Sequence, residues 1–420
     1  MSAGISTDMQ NNLSRKVRGR TDTLVEICSK LVRIPSETPP SDTRAVAKAA
    51  GEILSKVDGV EVSYHTLEDP IGNVVARIKG KGPGKRLTFN GHLDTFLVGD
   101  KSRWTVDPFG AECKEGRIYG RGVADMKGGI ACSMIAFMLM AECRDAWSGE
   151  LVIALAGDEE VMGPRGTLFL LDTVPFVKGD AAILGDIGTS KVLRFGERGA
   201  IWFELTAVGK ASHGAHVHRG INAIDRLTTA MGKIRQGIQN MPVNVPENVR
   251  KAVLAAGPIS EAYSGKGETN VLLSLTLNFG IIQGGIALNI MPDKATAQGD
   301  IRIPPGNTVE EVESTLNAVV GEVEGVSVRK IHSWVPNWSD PADELFSLIS
   351  KNARHVWNEE VAVTMRVGSS DSRYFRLRGV PTVNCGLNGY NLGAADEYAE
   401  ISDMVNVAEI HTLTAFDFLA

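Results

Sequence analysis

Arg86-Leu-Thr-Phe-Asn-Gly-His92-Leu-Asp94-Thr95 is the stretch that decides the fold. Arg86–His92 reads as a buried strand that ends on a histidine, with an aspartate two places on. Alternate residues at a strand end point the same way, so His92 and Asp94 share a face. Working outward, an apolar helix is expected over Lys127–Ala141, strands over Leu151–Asp158 and Ala181–Gly185, and helical periodicity covers Thr43–Val57. Strands interleaved with helices imply an α/β fold whose mostly parallel sheet is sandwiched by helices. Ligands of such sheets bind beyond the carboxyl ends of the strands. Three acidic motifs sit at strand ends or in the loops after them: His92-Leu-Asp94, Tyr119-Gly-Arg-Gly-Val-Ala-Asp125-Met-Lys-Gly-Gly129, and Ala156-Gly-Asp-Glu159-Glu160.

The texture changes near Arg198. Strands are expected over Ala200–Val208, Leu272–Ile281, Ala295–Ile303 and Val326–Ile331, a turn at Gly284-Gly285, and helices over Asn222–Ile238 and Thr308–Gly321. This β-α-β-β-α-β order predicts an inserted two-layer α+β domain. The chain then divides into a catalytic domain in two parts, 1–197 and 336–420, around an insert at 198–335. From Asp340 it returns to helix (Asp343–Asn358), strand and loop. Asn240–Asn248, with two prolines, reads as a loop.

Bulk properties exclude several function classes. The 420 residues exceed one ordinary core, so two domains are expected. A net charge of -6 gives neither a basic footprint for nucleic acid nor a polybasic membrane patch. No apolar run is read as approaching the roughly 20 residues of a membrane span. Met1–Arg20 is polar, lacks the apolar core of a secretory signal, and reads as a frayed lead-in to a helix near Asp22–Val32. The five cysteines are scattered with no CxxC pair, which suggests neither a disulfide framework nor a thiolate zinc site and fits a reducing cytoplasm.

The motifs carry the chemistry. A ligating imidazole gives its other N–H to an acceptor that fixes the tautomer, and Asp94 is placed for that or for ligation itself. Asp125 stands between Gly122 and Gly128-Gly129, glycines that allow tight turns near a metal; it can also cap the Lys127 helix. Glu159-Glu160 brings like charges together, which raises their pKa values unless cations compensate. The usual solution is one glutamate on metal and one acting as base, although a solvated acidic turn is the plainer alternative. Asp186 follows a strand and offers a further oxygen. His213, His216 and His218 lie in the insert and read as a polar cleft lining.

Taken together, these segments resemble the metallopeptidase family that contains acetylornithine deacetylase, succinyl-diaminopimelate desuccinylase, aminoacylase and glutamate carboxypeptidases. The likeness also covers Asp69-Pro-Ile-Gly-Asn73, Trp104–Phe109, Gly209–Ile224, Asn289-Ile-Met-Pro292, Asp300-Ile-Arg302 and Gly368-Ser-Ser-Asp371-Ser-Arg373. It implies a divalent transition metal, manganese or zinc with cobalt as an alternative. His92, Asp125 and Asp186 would hold one ion, with Asp94 behind His92. Asp125 would bridge to a second ion that takes Glu160 and a C-terminal histidine. Glu159 would be the general base, and His213 would reach the partner subunit's active site, so a homodimer or larger homo-oligomer is expected, with the inserted domain as its lid and dimerisation domain. Asn289 and Arg302 match positions at the substrate's carboxylate end; His216, His218, Ser370 and Arg373 are further candidate substrate contacts.

Two positions depart from the family pattern. Gly393, three residues before Asp396-Glu397, stands where the family has its last histidine ligand; Asp186 stands where many members have glutamate. The expectation is one tight ion and a weakened second site. For the reaction, the resemblance implies C–N bond hydrolysis of a small carboxylate-bearing substrate by metal-activated water. The lost ligand tilts the expectation toward an aminohydrolase of an electron-poor aromatic amine such as 5-nitroanthranilate. The alternatives are an amidohydrolase, deacylase or peptidase of N-acyl amino acids or dipeptides, and a catalytically silent binding homologue.

Overall fold

Strand Arg86–His92 is buried from Leu87 onward and lies between two parallel neighbours, Glu150–Ala156 and Ala181–Leu184. Thr382–Asn384 extends this parallel centre beyond Ala181–Leu184. Parallel pairs need crossover connections that cover both faces, which is why these strands are continuous apolar runs. The flanks are antiparallel: Asn73–Lys79 pairs with Glu150–Ala156, Glu61–His65 with Asn73–Lys79, and Val192–Glu197 with Thr382–Asn384. The architecture is α/β as expected, and the antiparallel flanks make its sheet mixed.

The computed structural model describes residues 2–420, in two compact units. The larger comprises the chain up to Phe195 with Ser339–Thr364 and Ser369–Ala420; the smaller is Gly196–Trp338 with Met365–Gly368. Within the larger unit, helix Gly128–Glu142 is apolar all round because its neighbours, including Ile401–Leu419 and Thr21–Val32, enclose it. The 20 residues Val123–Glu142 are long and apolar enough to cross a membrane, contrary to the sequence reading, but 94% of that window is buried inside the protein. Ser2–Arg18, expected as a frayed lead-in, is a helix that buries Leu13 and Val17. Met1 lies outside the described residues.

In the smaller unit, a four-stranded antiparallel sheet runs in the order Thr276–Gly284, Lys294–Ile303, Gly199–Val208, Val326–Trp334. Burial alternates along Lys294–Ile303, so one face carries the core. Ala223–Asn240 and Val309–Gly321 pack there, with Phe203, Leu205, Leu227, Ile234 and Leu316 in the shared cluster. Asn222 caps the first of these helices and a Thr308–Glu311 capping box starts the second. Helix Glu247–Ser264 was not anticipated, because Gly257-Pro258 interrupts its pattern.

Close backbone approach sets the strand ends of the larger unit in place. A Cβ on Gly129 would lie 1.9 Å from the Gly185 carbonyl oxygen, so only glycine lets the start of helix Gly128–Glu142 meet the end of strand Ala181–Leu184. That contact sets Asp125 and Asp186, just before and just after it, at the same edge of the sheet. Gly129→Ala is expected to destabilise the chain by about 1–3 kcal/mol. Gly232→Ala, where an added Cβ meets nothing within 4 Å, is expected to be neutral or slightly stabilising. Denaturant midpoints of the two variants check this, and equal midpoints would sink it.

Candidate metal centre

His92 ends its strand with Nδ1 3.0 Å from the Asp94 carbonyl oxygen. A carbonyl only accepts, so Nδ1 carries the proton and Nε2 faces the site, 2.9 Å from Asp125 Oδ1. Burial pulls the His92 pKa down. The hydrogen bond to Asp125 and the charges of Glu159, Asp125 and Asp94 outweigh that and leave it well above the ordinary histidine value.

The Asp94 carboxylate was expected to stand directly behind His92. It lies 3.7 Å from Nδ1, and its nearer work is elsewhere. It is fully buried and accepts hydrogen bonds from the Thr38 hydroxyl (3.0 Å), the Glu159 N–H (3.2 Å) and the Glu160 N–H (3.1 Å). The aspartate of the first motif thus anchors the backbone of the third. The Asp69–Asn73 segment holds the same turn from the other side: Asn73 Oδ1 accepts the Gly157 N–H at 2.9 Å.

Asp125 is held by a residue the sequence reading left without a role. Glu397 Oε1 accepts the N–H of Ala124 (3.0 Å) and of Asp125 (3.4 Å), while its other oxygen pairs with buried Arg121. Burial pushes the Glu397 carboxyl up to about 7, against the pull of Arg121. The Asp396-Glu397 pair was visible in the sequence; its contact with the Asp125 backbone, 272 residues away, was not.

Ligand atoms of His92, Asp125 and Glu160 lie within 4.8 Å of one another. Glu160 Oε1 is buried without a hydrogen-bond partner. Burial first, then the charges of Asp125, Glu159 and Asp94, push the Glu160 carboxyl up to about 10. An imidazole and two carboxylates with an orphaned buried oxygen fit a divalent cation, which supplies the missing countercharge. This grouping joins residues that the resemblance had divided between two ions.

Asp186 is buried outside that trio, and its Oδ2 accepts from Asn384 Nδ2 at 3.3 Å. Asn384 also donates to the Ser370 hydroxyl (3.1 Å) and accepts from Ser372 (2.6 Å) and Arg376 (2.9 Å). Ser370, a candidate substrate contact, is fully buried in this network. No spacing in the sequence marked Asn384.

Glu159 keeps a side chain 12% exposed, 4.0 Å from Arg373 Nη1. Burial raises its pKa well above the ordinary value; Asp371 and Asp186 add to this, while His92 and Arg373 oppose it. Arg373 is pinned by the Ser370 carbonyl (2.9 Å) and the Tyr374 hydroxyl (3.0 Å), which places a rigid cation beside the glutamate. Gly393 adopts φ +69°, and a Cβ built there meets nothing within 4 Å; no ligand comes from this loop position.

The remaining candidates lie in the smaller unit. Ser212 and His213 pair with Met291 and Ile290, and the Gly214 N–H donates to the Asn289 carbonyl at 2.7 Å, so His213 and Asn289 are neighbours. His213 Nδ1 accepts the Ala215 N–H at 3.2 Å. His213, His216 and His218 are exposed with ring centroids about 6 Å apart, and they form no metal-distance group among the described residues. Arg302 gives Nε to Asp300 (2.9 and 3.0 Å) and stacks on Trp334.

A profile of peptidase family M20/M25/M40 matches residues 88–417. Succinyl-diaminopimelate desuccinylases of Rhodospirillum centenum and of a Bradyrhizobium species are 28% and 29% identical to the chain. They cover 92% and 93% of it, and 95% and 97% of their own lengths. Among solved structures, an M20 family metallo-carboxypeptidase from Sulfolobus solfataricus superposes with a TM-score of 0.76 over 94% of this chain and 98% of its own, at 20% identity. Human carnosine dipeptidase 1 does so with a TM-score of 0.72 over 97% and 99%, at 17% identity. At such identities the structural likeness concerns the fold.

The stacked carboxylates give the metal-free chain a pH signature. The folded-state pKa of Glu160 is raised from 4.5 to about 10. The folded state therefore holds a proton that the unfolded state has lost between those values. Stability from this group is full below 4.5 and falls as pH rises toward 10. Thermal midpoints of the metal-stripped chain should decline from pH 5 to 9, and manganese or zinc should reverse the decline in a concentration-dependent way. A flat profile with no response to metal would contradict the assignment.

Proposed function

We propose that this chain, which belongs to peptidase family M20/M25/M40 and is a metal-dependent hydrolase of amide C–N bonds, removes the acyl group from an N-acylated amino acid. The observation that carries this reading is the clustered His92–Asp125–Glu160 group with Glu159 beside it. Relatives named as desuccinylases, matched over more than nine-tenths of both chains, favour deacylation within the family's range.

His92, Asp125 and Glu160 would hold a divalent ion, with Asp186 as a further oxygen. Such an ion supplies Lewis acidity and a water of lowered pKa. The chain's own residues do the rest. Asp94 fixes Glu159 and Glu160 through their backbone N–H groups, so the ligand and the base move as one turn. Glu159 takes a proton from the attacking water at its carboxylate and passes it to the departing nitrogen. Its raised pKa suits both halves of that transfer. Arg373, 4.0 Å away, opposes a still larger upward shift and keeps the group able to ionise.

Asn289 and Arg302 are proposed to meet the substrate's carboxylate. Arg302 enters that role with its charge already shared with Asp300. Gly393 adds no ligand atom, so one firmly held ion is expected, and a second would lack the histidine that the family pattern supplies at this position. The aromatic aminohydrolase reading takes second place, because the relatives carry names of amide and peptide cleavage; what favours it is the open space at Gly393. Exposed Ile281 and Ile282 on the edge strand Thr276–Gly284 support a homodimer formed through the smaller unit. Five free cysteines support a reducing, cytoplasmic setting.

The test is product analysis in heavy-oxygen water with a panel of N-acyl amino acids, dipeptides and aminobenzoates. Heavy oxygen in a released carboxylate supports the reading; heavy oxygen in a new phenol with ammonia release overturns it. Glu159→Gln should lower kcat about 10²–10⁴-fold with metal content unchanged. Retained turnover would remove Glu159 as base.

His213→Ala should also impair turnover without unfolding the chain. Mixtures of His213→Ala and Glu159→Gln subunits should regain activity that neither has alone. If they do not, each site is complete within one chain.

A further inference from the structure

We propose that the space beside Gly393 is a specificity subsite for a bulky apolar acyl group, which sets this chain apart from deacylases of dicarboxylic acyl groups. The inference rests on the deacylase reading above and names the substrate class within it.

The space is a cavity of about 440 Å³ lined by Thr38, Phe96, Leu97, Leu392 and Gly393. All belong to the larger unit. Its size falls within the range of small-molecule sites. Large apolar side chains scattered singly over a surface are ordinary, whereas several gathered in one concavity mark a binding site. Here Phe96 is 40% exposed, Leu97 51% and Leu392 43%, and all face one hollow.

Both walls are tied to the metal-ligating residues. Phe96 and Leu97 directly follow Asp94-Thr95 on the strand-end segment that carries His92. Thr38 donates its N–H to the Thr95 carbonyl (2.8 Å) and its hydroxyl to Asp94 Oδ2 (3.0 Å). On the other wall, Leu392 and Gly393 precede Glu397, whose carboxylate accepts the Ala124 and Asp125 N–H groups. The hollow is thus one hydrogen bond, Thr38 to Asp94, from the carboxylate that holds the Glu159-Glu160 turn. Gly393 adds no side chain to this lining, and a Cβ built there would meet nothing within 4 Å, so a larger residue would project into open space.

The lining fixes the chemistry of the occupant. Thr38 supplies the only polar side chain among these residues, and its hydroxyl is engaged by Asp94. None of them is a cation, so the second carboxylate of a succinyl group would be desolvated without a partner. Methylenes or a ring gain free energy there by leaving water.

The experiment measures kcat/KM on N-acetyl, N-butanoyl, N-hexanoyl, N-benzoyl and N-succinyl derivatives of one amino acid, with the metal-loaded enzyme. In parallel, calorimetry follows the binding of free hexanoate, benzoate and succinate. Each added methylene is expected to raise kcat/KM about threefold, on the order of a hundredfold from acetyl to hexanoyl. Hexanoate and benzoate should bind ahead of succinate. Leu392→Arg should collapse the hexanoyl-to-acetyl ratio and shift preference toward succinyl; Leu97→Ala with Leu392→Ala gives the same direction should the arginine variant fail to fold. A succinyl preference in the wild type, or a hexanoyl-to-acetyl ratio untouched by these variants, overturns the subsite. So does hexanoate binding that vanishes as the chain self-associates, which would assign the hollow to a second copy. If no amide is cleaved while hexanoate or benzoate still binds in a Leu392-dependent way, the deacylase reading falls and the subsite stands.

Discussion

The mutual repulsion of buried carboxylates is the constraint around which the larger unit is organised. Asp94, Asp125, Glu159, Glu160, Asp186, Asp371 and Glu397 gather at one edge of the sheet, largely withdrawn from water. Two like charges 4 Å apart cost about 4 kcal/mol at an effective dielectric constant of 20. A chain has few ways to bear that. It can protonate the groups, and burial does push Glu160 up to about 10 and Asp371 up to about 6. It can set cations among them, and Arg121 and Arg373 stand against Glu397 and Glu159. It can spend backbone N–H groups, as it does at Asp94 and Glu397. After all three, Glu160 Oε1 still has no partner. A divalent cation would resolve the arrangement, and hydrolytic chemistry would then use the same charge that the fold needs.

This explains why the acidic residues sit at strand ends and not on loops of their own. A strand end fixes direction: His92 ends Arg86–His92, Asp94 follows, and its carboxylate reaches across to the turn after Glu150–Ala156. Glycine contacts then set the depth. Gly129 against Gly185 locks the helix start to the neighbouring strand, so Asp125 and Asp186 are carried by rigid elements. The hydrogen bonds from Asp94 and Glu397 couple three segments far apart in sequence, so the ligands depend on one another through the backbone.

What was legible in the sequence follows the same physics. Buried strands and the apolar helix announce themselves by period and composition, so Arg86–His92 and Gly128–Glu142 were found within about a residue. The cluster of His92, Asp125 and Glu160 was legible because acidic groups after apolar runs are rare without a reason. Less legible was anything held by tertiary contact alone. Helix Glu247–Ser264 hides behind Gly257-Pro258. The antiparallel flanks are set by pairing partners that a single strand does not reveal. Asn384 meets Asp186, and Thr38 meets Asp94, through single side-chain hydrogen bonds between residues distant in the chain. Asp94 shows the limit clearly: its spacing from His92 suggested support of the imidazole, and its carboxylate turns out to hold the Glu159-Glu160 backbone.

Gly393 is more than a missing side chain. Its φ of +69° lies in the left-handed region, where a residue with a Cβ is strained by about 1–2 kcal/mol. The loop that follows has settled around that geometry: Asp396, also at positive φ, accepts from the Thr105 N–H and hydroxyl, and Glu397 clamps the Asp125 segment. The hollow beside it is lined by Phe96, Leu97 and Leu392, with Thr38 as the one polar side chain in that lining. A histidine placed at this position would have to overcome that backbone strain. The left-handed turn that favours glycine at position 393 therefore also leaves room in the apolar hollow that this residue borders.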